Sequence, residues 1–216
     1  MADLLTIAGG SHPALPLDIL ATLTLLSLVP LLLVMCTSFV RIVVVLSLVR
    51  SAIGASALPP NAVLAGLALV LTLVVMAPTG ARIERDAVGP YARGTIAPSQ
   101  ALTRALVPLR AFMLRQTRAA DVAVFARIAG SRAGRSVPFS ILVPAFVVGE
   151  LRSAFAIGFA LYLPFVAIDL AVAAMLMGLG MMMLSPPVVS LPAKLLLFVM
   201  VDGWAMVCGG VAASFR

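Results

Sequence analysis

Six charged side chains interrupt otherwise apolar runs of this 216-residue chain: Arg41, Glu150, Arg152, Asp169, Lys194 and Asp202. Each such charge costs roughly 2.5–3.5 kcal/mol to place in an apolar medium, so it must be paired, reach a polar boundary or do work. Three are cations and three are anions, so complete pairing is possible by count. Glu150 and Arg152 are two residues apart and fall on different helix faces. Lys194 and Asp202 are separated by about 12 Å along a helix axis. Neither pair closes locally, so the partners come from other helices or other subunits. Three readings fit: ion pairs that fix helix register, a proton or ion relay, or charges at helix ends that reach an interface.

The remaining reactive residues point away from catalysis. His12 stands alone before Pro13, and Cys36 and Cys208 lie in apolar runs where a thiol behaves as a small hydrophobe. There is no CxxC and no Cys/His cluster, and HExxH, GxSxG, GxGxxG and phosphate-loop patterns are also missing from the sequence. The expectation is a protein that is not an enzyme, with no metal and no cofactor. Three consecutive methionines, Met181, Met182 and Met183, precede a Ser-Pro-Pro break. Taken by themselves they read as core filler.

The elements that carry these residues are apolar. Hydrophobic residues make up 62% of the chain and mean hydropathy is +1.18, against roughly 45–50% apolar for soluble domains. Such a chain belongs in a membrane or a membrane-bound assembly. Residues 1–18 form a polar leader with Asp3 and Asp18 and no Lys or Arg. A secretory signal needs a positive start, so no cleavable signal is expected. Residues 19–40 are uncharged and long enough to cross a bilayer, with Pro30 as a kink. After a break at Gly54 and Pro59-Pro60, a second apolar run fills 61–78. Together, 19–78 read as a helical hairpin.

Residues 79–137 differ. Ten arginines oppose only Glu84, Asp86 and Asp121, a local excess equal to the +7 formal charge of the whole chain. Leu102, Leu106, Leu109, Met113 and Leu114 recur at helical spacing, and Pro108 and Asp121 mark helix starts. This segment reads as a small basic helical domain outside the bilayer, on the cytoplasmic side by the positive-inside rule. Phe112, Phe125 and Tyr91 are its only aromatics and no nucleic-acid motif occurs, so no nucleic-acid partner is expected. From 138 to 216 the chain is apolar again: a helix pair interrupted at Glu150 and Arg152, then a second hairpin around the Ser-Pro-Pro turn. The expected fold is an all-α, oligomeric membrane protein. It has two hairpins of kinked apolar helices around the basic domain.

Several blocks carry a family resemblance. "TSFVRIVVVLSLVRSAIGASALPPNAVLAGLALVLTLVVMAP" and "LVPAFVVGELRSAFAIGFALYLPFVAIDL" resemble the two signatures of the FliP/SctR family. These are membrane proteins of the flagellar and virulence type III secretion export gates. "PLRAFMLRQTRAADVAVFARIA", "MGLGMMML" and "SLPAKLLLFVMVDGW" are similar to further family blocks, so the resemblance spans roughly residues 17–215. "PLRAFMLRQTR" and "VAASF" resemble the flagellar branch, whereas "SLVRSAIG" and Ser185 are closer to the virulence branch. Ala193 stands where the family usually has Phe. Flagellar members often begin with a cleavable signal, which the leader does not resemble.

The resemblance implies a subunit that oligomerises, as a pentamer, in the inner membrane at the flagellar basal body. It implies partners of the FliQ/SctS and FliR/SctT types and a conical channel for unfolded polypeptides, in contact with lipid. Energy would come from an associated ATPase and the proton gradient. The resemblance also places the middle domain on the periplasmic side, against the positive-inside reading. By position, Met181, Met182 and Met183 take the family's pore gasket role. Gly178 and Gly180 then act as a hinge, Pro186 and Pro187 as an anchor, and Glu150, Asp169 and Lys194 as an inter-helix or inter-subunit charge network. The same role in a virulence injectisome is an alternative. A small-solute or ion transporter using Asp169 or Glu150 is another.

Overall fold

The computed structural model describes residues 34–54, 58–130, 137–181 and 183–215, with Ser27 and Leu31 besides. It divides into two compact units, Met1–Met35 and Cys36–Arg216. His12, the leader, the Pro30 kink and most of the first apolar run lie outside the described residues, as do Met182 and two of the ten arginines (132 and 135).

The second unit is helical, with no strand among the described residues. Its helices are α1 (Phe39–Ile53), α2 (Asn61–Ile83), α3 (Gly89–Ala92), α4 (Pro98–Gln116), α5 (Ala119–Ile128), α6 (Phe139–Gly178), α7 (Pro186–Met200) and α8 (Gly203–Ala213). A π-helical turn, Glu84–Val88, joins α2 to α3. α1 is rich in Val and Ile, residues with modest helix propensity in water. In an apolar medium every backbone donor and acceptor must bond within its own segment, which outweighs that preference. α1 ends at Gly54 (φ 84°), whose N–H bonds the Ser51 carbonyl.

Among the described residues, two stretches are long and apolar enough to cross a bilayer, Asn61–Ala92 and α6. α7 and α8 are apolar enough for a third only if taken together, and they meet at a 64° bend. α6 has 40 residues and is about 60 Å long, twice a roughly 30 Å hydrocarbon core.

The structure corrects four local expectations. The run beginning at 61 does not stop at Pro78; α2 continues through it and the helical path reaches Ala92. The stretch from 139 to 178 is one helix rather than a helix pair. Glu150 and Arg152 do not interrupt it because other helices neutralise them, and Pro144 and Pro164 each cost one backbone hydrogen bond without ending it. Pro108 lies inside α4 rather than at its start. Asp121 is in the first turn of α5, with Arg118 as the capping residue. Of the leucine face expected on α4, Leu109 and Met113 turn inward, while Leu102, Leu106 and Leu114 are exposed.

α1 is the axis of the core. Ile42, Val45, Leu46 and Val49 pack against Leu64 and Ala68 of α2, Ala154 and Phe165 of α6, Phe198 of α7, and Val207 and Val211 of α8. α1 and α6 approach so closely that a Cβ on Gly158 would lie 2.3 Å from Leu48. A second cluster joins Cys36, Phe112, Met113, Leu142 and Phe146, docking α4 on the start of α6. The outward faces stay apolar: Leu69, Val70, Leu73 and Val74 of α2 and Phe155, Phe159 and Leu163 of α6 are exposed.

Candidate functional site

Five of the six charges that the sequence left without local partners meet partners on other helices. Arg41 of α1 and Glu150 of α6 form a bidentate pair. Nε donates to Oε2 at 2.7 Å and Nη2 to Oε1 at 2.6 Å. Both side chains are buried, at 4% and 0% exposure. Planar guanidinium suits this geometry where a lysine would not. Its other donors are also used: Nη1 donates to the Ser214 carbonyl (3.0 Å) and Oγ (2.9 Å), and Nη2 to Gln116 Oε1 (3.2 Å). Gln116 Nε2 donates onward to the Phe215 carbonyl. The Phe215 ring covers the guanidinium at 3.8 Å. One arginine thus fastens α1, α4, α6 and the residues after α8.

The second pair, buried at its lysine and half-buried at its aspartate, sits further along α6. Lys194 Nζ of α7 donates to Asp169 Oδ2 at 2.6 Å and to the Ala52 carbonyl, at the end of α1, at 3.3 Å. A cation there also satisfies the negative end of the α1 dipole. Ser190 Oγ donates to Asp169 Oδ1. Asp169 therefore clamps α6 to α7 at two points one helical turn apart. The carbonyl of Ala52 lies beside this clamp, while Glu150 is paired elsewhere, so the three residues named from the resemblance fall into two separate clusters. Arg152 pairs with Asp121 of α5 (2.7 Å), tying the basic segment to α6. Asp202 is exposed and makes no ion pair among the described residues.

Beyond the clamp, α6 and α7 run out as a spur that ends in the methionine turn. Gly180 (φ 73°) closes α6 with a two-bond cap: its N–H reaches the Met177 carbonyl (3.0 Å), and the Met181 N–H reaches Leu176 (2.9 Å). Pro186 and Pro187 open α7, where fixed φ is an advantage and the missing N–H no loss. Met181 is half exposed and Met183 fully so, at 101%. Leu170, Met175, Met177, Leu179 and Val188 are exposed as well. A Cβ at Gly178 would meet nothing within 4 Å. The reading of these methionines as core filler within one chain does not hold for Met181 and Met183.

Ser190, Gln116, Ser214 and Asp121 were not singled out from sequence as partners of these charges. Ser and Gln recur throughout any chain and carry no periodic signal, and Asp121 lies in the basic segment outside the apolar runs; only the charges within those runs announced that partners were needed. Among the described residues no group of three or more His, Cys, Asp or Glu could hold a metal ion.

A model of the FliP family matches residues 22–211. The flagellar biosynthetic protein FliP of Pectobacterium carotovorum subsp. carotovorum is 48% identical over 210 residues, covering 96% of this chain and 81% of that protein. The protein of the same name from Cereibacter sphaeroides is 46% identical over 96% of this chain and 70% of its own length. That of Bacillus subtilis (strain 168) is 41% identical, with both chains covered completely.

Proposed function

The chain belongs to the FliP family, and from that premise we propose that it is a pore-forming core subunit of the flagellar protein export gate. It is a membrane-embedded component of the flagellar export apparatus. Its place is the bacterial inner membrane at the flagellar basal body. It acts as a homo-oligomer, a pentamer, joined by FliQ-type and FliR-type subunits, and it passes unfolded flagellar polypeptides outward.

The observation that carries this reading is the solvent-exposed methionine turn at the end of a clamped spur. A flexible, unbranched, uncharged side chain adapts to many surfaces. Several copies of Met181–Met183 brought onto one axis would close against water and ions, yet fold aside for a passing chain of any sequence. The Asp169–Ser190–Lys194 clamp holds the base of the spur while its tip yields. In this mechanism Gly178 and Gly180 let the tip move by opening the two-bond cap, and Pro186 and Pro187 anchor the far side. Glu150, Asp169 and Lys194 keep the helices in register for assembly. No group of the chain forms or breaks a covalent bond.

Deleting Met181–Met183 tests the gasket. The expected outcome is leakage of ions or a small dye through the inner membrane, with export of flagellar substrates at least partly retained. A membrane that stays tight would sink the proposal. So would an assembled complex whose methionines pack inside single subunits.

A further inference from the structure

Among the described residues, five of the six charges that interrupt the apolar runs have an ion-pair partner, and Asp202 is the exception. Its side chain does not cap α8, although it occupies the capping position. Its backbone is left-handed (φ 48°, ψ 53°), the only such non-glycine residue described, and it lies at the 64° bend between α7 and α8. The bend is held shut. A Cβ on Gly203 would lie 2.3 Å from the Phe198 ring, and Phe198 packs edge-to-face on Trp204 at 5.2 Å. A strained backbone that its surroundings enforce marks a position with a use beyond local folding.

The bend sets an unpaired carboxylate among exposed Val199, Met200, Val201 and Met206. Neither water nor lipid suits such a patch: water meets the apolar rim and lipid meets the charge. It complements an apolar surface that carries a cation. The chain itself supplies candidates, since Arg82, Arg93, Arg104, Arg115, Arg118 and Arg127 are exposed and make no ion pair among the described residues. We infer that Asp202 and its apolar rim dock a second copy of this chain through one of these arginines. The contact uses different surfaces on the two copies, and such a contact repeats around a ring when the rotation closes. This inference rests on the homo-oligomer of the proposed function and names the surface that builds it.

The test uses full-length protein co-expressed with its export-gate partners, solubilised in mild detergent and resolved by native electrophoresis. Asp202→Asn keeps the shape and the tolerance of left-handed backbone but removes the charge. It is expected to lower the homo-oligomer at least tenfold while leaving the melting temperature of the solubilised monomer unchanged. Asp202→Glu, which keeps the charge, is expected to assemble. Asp202→Arg is then combined with Arg→Asp at each of the six arginines in turn, and one combination is expected to restore the oligomer. Normal assembly of Asp202→Asn overturns the inference, as does equal loss with Asn and Glu. Failure of all six reversals assigns the carboxylate to another subunit or to a lipid amine and overturns the second-copy partner. A wild type that forms no homo-oligomer overturns the proposed function as well, whereas an intact wild-type oligomer beside an intact Asp202→Asn oligomer overturns this inference alone.

Discussion

The Arg41 cluster and the methionine spur are built from the same α6 helix and differ in almost every physical respect. Around Arg41, the guanidinium's three nitrogens all donate to acceptors, both charges are buried, and four parts of the chain converge. Around Met183 the side chain is fully exposed, and Met181 and Leu184 are exposed too. The first region is complete within one chain. The second has nothing among the described residues to cover it. One helix can thus be fixed at its start and unfinished at its end, with the Asp169–Lys194 clamp between the two conditions. Stability and function separate along its length.

The largest expected effect falls on the closed region. Glu150→Ala leaves the buried Arg41 unpaired and should lower unfolding stability by about 3–5 kcal/mol, read by denaturation of the solubilised protein. Replacing both partners with apolar residues of similar size should recover most of that loss, because the cost is the orphaned charge. A loss below about 1 kcal/mol for Glu150→Ala would mean that water reaches the pair, and the contrast between regions would weaken.

Next comes the clamp. Lys194→Glu sets a second carboxylate against Asp169 and should block assembly of the gate. Adding Asp169→Lys should restore it, whereas adding Glu150→Lys should not, since Glu150 belongs to Arg41. Normal assembly and export by Lys194→Glu alone would remove the clamp from the account. Recovery by Glu150→Lys would merge the two clusters into one network.

Two glycines sharpen the comparison at smaller cost. Gly158→Ala forces a methyl group into Leu48 and should destabilise by about 1–3 kcal/mol. Gly178→Ala meets open space and should leave the melting curve where it was. Similar melting losses in both variants would show that the spur packs against more than its own chain.

The smallest effect on stability is expected at the turn itself. Met183→Ala should not change the melting temperature, yet ion leakage through assembled gates should rise. A stability loss without leakage would make the methionine a packing residue.

Much of this could be read from the residues alone. The apolar fraction and the uncharged runs required helices, because a backbone in an apolar medium must satisfy its own hydrogen bonds. The balance of three cations and three anions announced ion pairs without saying which. The outcome was less tidy than the count: Arg152 found Asp121 in the basic segment, which left Asp202 outside the set. Prolines were the weakest signal. Pro108 read as a helix start, but it lies inside a helix, as do Pro78, Pro144 and Pro164, and packing on either side outweighs one lost hydrogen bond.

Composition and order therefore determined the helical membrane class, the need for pairing and the position of the methionine run before the Pro-Pro turn. Local chemistry suffices for these, since each follows from what a short segment can satisfy by itself. Only the tertiary structure decided that Arg41 meets Glu150, that Lys194 meets Asp169, and that Met181 and Met183 stand clear of the core. Those outcomes depend on where helices cross, and a crossing is set by the packing of many side chains at once. No spacing along the chain records it.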